Sequence, residues 1–532
     1  MTEILEVEGG TWLDEHRTCD RKATRVFKVQ ATQSGDMAAD LAERTKVIGA
    51  LMDELAAQHE KIVITGSAWS QSDVFASPAI RIDTGLDRAV WELPASALLP
   101  ECRASRRHLA LATGGAKLHE IMDFFDARGG SFRTAGSHKG QSIAGAIATG
   151  THGSLLSETG LETHVRGLLF VSGSDAAHWI GDPDHPVLTE EFVSGFAALA
   201  DPSLFPDALI HLGGLGYCAA VLIEGVERFG LSWAKACAPL PDGWWNAIEA
   251  GSFSDAMEHV TNGQEPAFIE LTFDPNRGIE SDVMQTVYWR DSFSQENAAQ
   301  RANPARDTVD ILSDRLADIP RDVASPDDPE IEGPGGFGSG IRLLDIPKMI
   351  FDDFREDVAQ QPNSPEPESL LALTGDWEPR SVFGIRIDTF NAAFSVPLER
   401  LRSVLEIGTA VAAKHRKHFV YTVRFAGPSP ASLSFLRFER NAIINIDGLT
   451  RAGIAGWISH SDEASRAFTD ALEDAGIPFS MHWGKDIPSD AAKIAADFGP
   501  AVSRYKAVRA ALVPEALRAK LCSPMLEHWG LA

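Results

Sequence analysis

The stretch Thr134–Ser154, TAGSHKGQSIAGAIATGTHGS, constrains this chain more than any other. Gly136, Gly140, Gly145, Gly150 and Gly153 are separated largely by Ala and Ser, so the backbone itself forms the surface of the segment. With no Cβ in the way, such a backbone can approach a flat or phosphorylated group closely. Its amides and the hydroxyls of Ser137, Ser142, Thr149, Thr151 and Ser154 then serve as hydrogen-bonding partners. Only Lys139 is fully charged, which leaves most of the binding to oriented amides and dipoles. The apolar portion, Ile143–Ala148, is far too short to span a bilayer. The plain alternative is a tightly packed small-residue helix followed by a glycine turn.

The flanking segments supply further small-residue turns. Met37–His59 has a helical pattern, and ATRVFKVQATQ before it alternates like a strand. Lys61–Thr65 is a short β-branched strand that runs into the turn Gly66-Ser67, where free amides would accept a pyrophosphate. An ordinary structural turn is the other reading. AIRIDTGLDRAVWEL reads as a strand. HLALATGGAKLHEIMDFFDARGGSF reads as strand, Gly114-Gly115, then a helix with Leu118, Ile121, Met122 and Phe125 on one face. Gly214, Gly216 and Ala219 mimic a dinucleotide fingerprint, but Ala219–Val226 reads as a strand rather than a helix, and no acid follows at the needed distance.

From about residue 231 the character changes. Phe268–Phe273 and Val287–Trp289 suggest strands, whereas 276–340 is rich in Asp, Pro and Gly, with loops expected at 332–340 and 360–369. SVFGIRIDTFNAAFSVPLERL reads as a strand followed by a helix beginning at Pro397. With the alternating runs HFVYTVRFAG and SFLRFERNAIINIDGL it predicts an antiparallel sheet. Helices are expected around Asp462–Ala475 and over 488–532, either side of SMHWGKDI.

Composition narrows the function classes. A formal charge of −27 over 532 residues argues against nucleic-acid and peripheral membrane binding. The N-terminus has no basic leader, and no window reaches membrane-span length. Five scattered cysteines (Cys19, Cys102, Cys218, Cys237, Cys522) without metal spacing fit buried thiols in a reducing cytoplasm, and no metal site is expected. No Gly-x-Ser-x-Gly elbow, HExxH or P-loop lysine motif is present.

QSIAGAIATGTHGS resembles the flavin-contacting segment of the alditol oxidase and aldonolactone (gulonolactone, arabinonolactone) oxidase family, and His482-Trp483-Gly484-Lys485 matches that family's C-terminal motif. The resemblance implies an α+β, two-domain FAD-binding fold of the vanillyl-alcohol-oxidase type, with an antiparallel-sheet substrate cap. Residues 1–230 would bind FAD, 231–475 would form the cap with its loop insertions, and 476–532 would return to the FAD domain. FAD would contact Gly66, Ser67, Ala68, Trp69 and Ser70 in the first turn and Thr113, Gly114 and Gly115 in the second. In the ribbon it would contact Gly136, Ser137, Gln141, Ser142, Gly145, Thr149, Gly150, Thr151, His152 and Gly153. Backbone around Val221–Ile223 would lie by the adenine. The family's first turn reads roughly Gly-Ser-Gly-His-Ser, and its histidine often bonds covalently to the flavin. Trp69 stands there in this chain, which implies non-covalent FAD.

The chemistry implied is oxidation of a CH–OH group in an alcohol, polyol, sugar lactone or related compound, with oxygen as acceptor. Lys485 would place a cation at the flavin and His482 would transfer a proton. Arg424 would meet the substrate, with Arg437 as its substitute, and Ser154 would offer a substrate-side hydroxyl. Surface or structural roles are the alternatives for Lys485, Arg424 and His482, and for His152 the alternative is to hold its own turn. Where alditol oxidases carry a glutamate two places before the arginine, this chain has Thr422, so that carboxylate is absent or comes from elsewhere. A flavin fold without redox turnover and a non-redox isomerase or hydrolase are the rivals. No motif speaks to oligomeric state.

Overall fold

The computed structural model describes residues 2–13, 20–31, 33–76, 79–293, 346–375, 388–415, 420–450, 457–485 and 489–532. The expected loop at 332–340, Cys19 and the start of the run at 381–387 lie outside the described residues.

Three larger sheets organise the described chain. The first is four-stranded, in the order Thr2–Leu13, Asp20–Ala31, Ile80–Leu86, Ile62–Thr65. The outer hairpin is antiparallel and the inner pairs are parallel. Ile62–Thr65 appears where the β-branched run predicts it, and the helix Met37–Ala56 packs Leu41, Ile48, Met52 and Leu55 into the core. Asp36 caps that helix by accepting from the Ala39 amide. Thr2–Leu13 as a strand is a departure, since the sequence pattern announces only the strand after it.

The second sheet is six-stranded, in the order Ala198–Leu199, Ala177–Gly181, Val165–Val171, Tyr217–Glu224, Leu109–Ala112, Val90–Glu92. Val165–Val171 is buried at every position, as a central strand should be, and its one charged residue, Arg166, is paired with Glu224 and Asp182. AIRIDTGLDRAVWEL divides between two sheets, Ile80–Leu86 in the first and Val90–Glu92 in this one. The helix Leu118–Asp126 buries the apolar face read from the sequence: Leu118, Ile121, Met122 and Phe125.

The third sheet is eight-stranded and antiparallel throughout. Its order is Glu368–Ser369, Gly230–Ala238, Val283–Asp291, Phe268–Phe273, Val420–Ala426, Asn441–Thr450, Asp388–Pro397, Ser480–Met481. The last pairing is the one that matters for function, because it carries the chain from this sheet straight into His482–Lys485. The helices Ala491–Phe498, Pro500–Leu512, Glu515–Arg518 and Pro524–His528 then return to the first sheet, where the Ile62 amide donates to the Lys520 carbonyl at 2.8 Å. Among the described residues no helix is long and apolar enough to cross a membrane, and no group of His, Cys, Asp and Glu is arranged to hold a metal. Cys102, Cys218, Cys237 and Cys522 are free; Cys218 and Cys522 are buried, the other two half-buried.

Candidate active-site cleft

One deep cleft draws residues from all three sheets and the C-terminal segment. Its walls include Gly66–Gln71, Gly114, Gly136–His138, Gln141, Ser142, the helix residues Ala144–Ala146 and Ala148, and Thr149, Thr151 and His152. The opposite side consists of Asn391, Thr422, Arg424, Asn445, Asp447, His482, Gly484 and Lys485. The ribbon and the His-Trp-Gly-Lys motif therefore face one space.

The first wall is built from backbone. Gly66 follows the strand Ile62–Thr65, and a Cβ there would stand 2.0 Å from Ser142 Oγ, so only glycine lets this turn meet the ribbon. Ala68 adopts φ 56, a left-handed conformation that an alanine occupies at a cost. Trp69 lies over the ribbon: a Cβ on Gly140 would reach within 2.7 Å of its ring, and its indole sits 5.5 Å from the His138 ring. Lys117 Nζ donates to Ser67 Oγ at 2.5 Å behind the turn. Thr84 Oγ1 and Gln141 Oε1 line the cleft, buried and without a partner among the described residues. Buried polar atoms normally find a partner. Orphans of this kind, beside a wall rich in glycine, alanine and serine, fit a polar heterocycle with a phosphate arm.

Six residues expected at the cofactor or substrate lie outside the cleft lining. Thr113 is used internally, donating to the Asp87 carbonyl at 2.6 Å and accepting from the Ala89 amide at 3.0 Å. Gly115 packs on the Thr84 carbonyl, 2.1 Å from where its Cβ would be. Gly150 supplies a turn at φ 74. Gly153 presses on the Thr134 side chain, at 2.1 Å from a would-be Cβ. Ser154 is half-buried, beside Leu155, which bridges to Phe268 in the third sheet. Ile223 lies far along its strand, paired with Ala110 and Val165 and fully buried; the start of that segment, Gly216 and Cys218, reaches the cleft instead.

On the second wall, the strand Val420–Ala426 presents Thr422 and Arg424, and Asn441–Thr450 presents Asn445 and Asp447. Each pair is spaced two apart, which puts both members on one face. Arg424 is paired across the sheet with Glu270, its Nε and Nη2 lying 2.7 and 2.6 Å from Oε2. Asp447 Oδ1 accepts from Asn391 Nδ2, and the Thr422 hydroxyl lies beside the same carboxylate. The two neighbouring strands thus each bring a carboxylate to this face: Asp447 in the cleft lining, and Glu270 outside it on Arg424. Burial pushes Asp447 up to about 6, although Arg424 and Lys485 oppose the shift. Burial also draws Lys485 down to about 8, with Asp447 resisting and Arg424 adding to the fall. Arg437 does not substitute for Arg424: it bonds Ser480 and the Phe479 carbonyl, away from the cleft.

The two histidines are fixed and neutral. His482 Nδ1 accepts from the Gly484 amide at 3.0 Å, and burial holds its pKa well below the usual value. His152 Nδ1 donates to its neighbour Gly153's carbonyl at 2.9 Å, and burial takes it down to about 3. Their rings lie 5.6 Å apart. His482, expected as the proton-transfer group, lines the cleft in that neutral state. The tail itself is held from three sides. Ser72 Oγ donates to the Trp483 carbonyl at 2.6 Å, the Gln71 amide to the Gly484 carbonyl at 2.9 Å, and Trp483 Nε1 to the Leu433 carbonyl at 2.6 Å.

Sequence reasoning missed His138, the turn at Leu212-Gly213, Asn391, Asn445 and Asp447, all of which line the cleft. A signal for the last two existed: polar residues at alternate positions in the otherwise apolar strand Ala-Ile-Ile-Asn-Ile-Asp.

No family model matches the chain. A stretch of 128 residues, 24% of this chain and 20% of the other, is 33% identical to a putative D-arabinono-1,4-lactone oxidase of Neurospora crassa. Another of 174 residues, 33% of this chain and 29% of the other, is 27% identical to the D-arabinono-1,4-lactone oxidase of Eremothecium gossypii. The matches thus span less than a third of the length of these curated relatives. Among solved structures, the cholesterol oxidase of B. sterolicum superposes with a TM-score of 0.65 at 11% identity, over 99% of this chain and 97% of that one. A solvent-stable cholesterol oxidase gives 0.65 at 14%, over 98% and 97%. At such identities the likeness is one of architecture, and it is complete enough to say that this chain has the overall fold of these cholesterol oxidases.

Proposed function

We propose that this protein is an FAD-dependent oxidoreductase that oxidises a CH–OH group of a small polar hydroxy compound, with oxygen as the final acceptor. The observation that carries the reading is the convergence of the glycine ribbon and Lys485 on one cleft. Gly66, Ser67, Ala68, Trp69 and Ser70 would hold the phosphate arm, and Gly136, Ser137, Gln141, Ser142, Gly145, Thr149, Thr151 and His152 the ring system. Residues 1–230 and 476–532 would form the cofactor half, and 231–475 the cap. Bound there, the flavin supplies a two-electron acceptor for the substrate's C–H hydrogen. Lys485 sets an ammonium at that site. Trp69 in the histidine position supports non-covalent attachment, since an indole cannot form that link. The free cysteines suit a reducing, cytoplasmic compartment.

The cap wall favours a polyhydroxylated substrate over an apolar alcohol. Asn391, Thr422, Arg424, Asn445, Asp447 and Lys485 would each have to be desolvated against a hydrocarbon ring, at roughly 1–3 kcal/mol per unpaired neutral group. A sugar lactone or polyol satisfies them instead, which agrees with the similarity to D-arabinono-1,4-lactone oxidases.

The test is anaerobic mixing of the purified holoprotein with D-arabinono-1,4-lactone, xylitol and a sterol. The polar compounds should bleach the flavin band and the sterol should not. Lys485→Met and Arg424→Ala should each slow bleaching by ~10²-fold or more. A colourless protein, or wild-type rates in both variants, would refute the assignment. Acid precipitation should release the colour into the supernatant.

A further inference from the structure

Oxidising a CH–OH group releases a proton from the hydroxyl as well as a hydrogen from carbon, and some group must take it. The cleft offers few acceptors. Arg424 is a cation already engaged by Glu270, and Lys485 is the ammonium of the site. His152 has its Nδ1–H committed to the Gly153 carbonyl, and His482 Nδ1 is committed to the Gly484 amide. Both rings are buried and hold protons poorly. One carboxylate remains. Asp447 is the only Asp or Glu lining the cleft among the described residues, and it is 7% exposed. It projects from the face of Asn441–Thr450 that also carries Asn445, whose Oδ1 is buried and unpartnered. Asn391 holds Asp447 Oδ1 from one adjacent strand, and Thr422 lies against the carboxylate from the other. This is a group fixed in position by its two neighbours and directed at the space where a substrate would meet the cofactor wall.

We infer that Asp447 is the proton acceptor for the substrate hydroxyl, held in place by Asn391 and Thr422. The inference rests on the proposed oxidation of a CH–OH group. The O–H bond breaks and its proton passes to the Asp447 carboxylate. The O–H electron pair becomes the second bond of the new carbonyl, and the C–H hydrogen leaves with its own pair to the oxidised flavin. The substrate loses two electrons and two hydrogens; the carboxylate becomes a carboxylic acid, to be deprotonated by solvent before the next turnover. The charged groups around Asp447 are Arg424 on the neighbouring strand, Lys485 on the C-terminal segment and Glu270 one strand further. The two cations favour the carboxylate, while Glu270 and burial favour the acid. That balance keeps the group ionised at neutral pH yet basic enough to accept a proton.

The experiment uses the FAD-loaded protein, with D-arabinono-1,4-lactone and xylitol as substrates, and follows anaerobic flavin bleaching at saturating substrate from pH 5 to 9. The wild-type rate should rise with pH through an inflection near 6, assigned to Asp447, and fall again on the alkaline side as Lys485 loses its proton near 8. Asp447→Asn should lower the saturating rate by ~10²–10⁴-fold and abolish the inflection. Asp447→Glu should restore part of the rate and keep an inflection. A second readout does not depend on turnover: Asp447→Asn should raise the melting temperature relative to wild type above pH 6 and match it near pH 4, because an asparagine cannot ionise in that buried place. An Asp447→Asn protein that bleaches as fast as wild type, keeps the inflection, or loses only half-saturation would overturn the inference alone. A wild type that none of the hydroxy compounds bleaches would overturn the proposed oxidation as well.

Discussion

Ala68 shows how a single residue serves the cleft. The first turn passes through the left-handed region, where glycine is at ease and other residues are not; this chain uses alanine there, at φ 56. The left-handed conformation costs an L-residue about 1–2 kcal/mol, and glycine's extra freedom in the unfolded chain returns about 0.5–1 of that. Ala68→Gly should therefore raise the unfolding free energy of the holoprotein by up to about 1 kcal/mol, measured by denaturant titration, with cofactor content unchanged. A loss of more than ~1 kcal/mol would show that the alanine methyl is needed for packing. Residue identities at this scale were partly legible. Trp69 in the histidine position and Thr422 in place of an acid can be read directly from the chain. What cannot be read is that Glu270 pairs with Arg424 across one neighbouring strand and that Asp447 comes beside Thr422 from the other, because strand register decides that.

Among the elements, the strand–glycine–helix unit around Leu109–Asp126 was predictable from its own pattern, and so was the helix face Leu118, Ile121, Met122 and Phe125. The turn between them carries a constraint that the pattern does not reveal. A Cβ on Gly114 would stand 2.2 Å from the Cys218 carbonyl and 3.1 Å from Ala144 Cβ, so this glycine is where the second sheet and the ribbon helix meet. Gly114→Ala must push one of them outward. We expect a loss of about 1–3 kcal/mol in stability and a fall in bound FAD, read by calorimetry and by the ratio of visible to ultraviolet absorbance. A variant of unchanged stability and full colour would contradict this. The hairpin strand Thr2–Leu13 was not legible, because it mixes acids, glycines and partly exposed apolar residues such as Leu5 and Val7 with no buried face to set a period.

Across the whole molecule, buried histidines set the response to acid. His152 is held down to about 3, and His164 and His211 to about 4, in each case by burial. An unfolded chain takes up protons at these positions near pH 6.5 while the folded one does not, so stability falls as pH drops from about 6.5 towards 4. A tenfold difference in proton affinity between the folded and unfolded chain corresponds to about 1.4 kcal/mol. Asp447, Glu162, Asp274, Glu368 and Asp497, all raised by burial, contribute in the opposite sense as pH falls, and the prediction is that the three histidines dominate. The melting temperature of the holoprotein should therefore drop steeply below pH 6.5, and His211→Gln should flatten part of that slope. A flat profile from pH 7 to 4.5 would show that these rings are hydrated in solution. The clasp of the C-terminal segment on the first sheet, Ile62 to Lys520 and Ser72 to Trp483, has a further consequence for biosynthesis. Ile62 and Ser72 wait through more than four hundred residues of translation before Lys520 and Trp483 emerge. A nascent chain thus holds its first sheet with the edge at Ile62 uncovered, and open to chaperones, until the last helices are made.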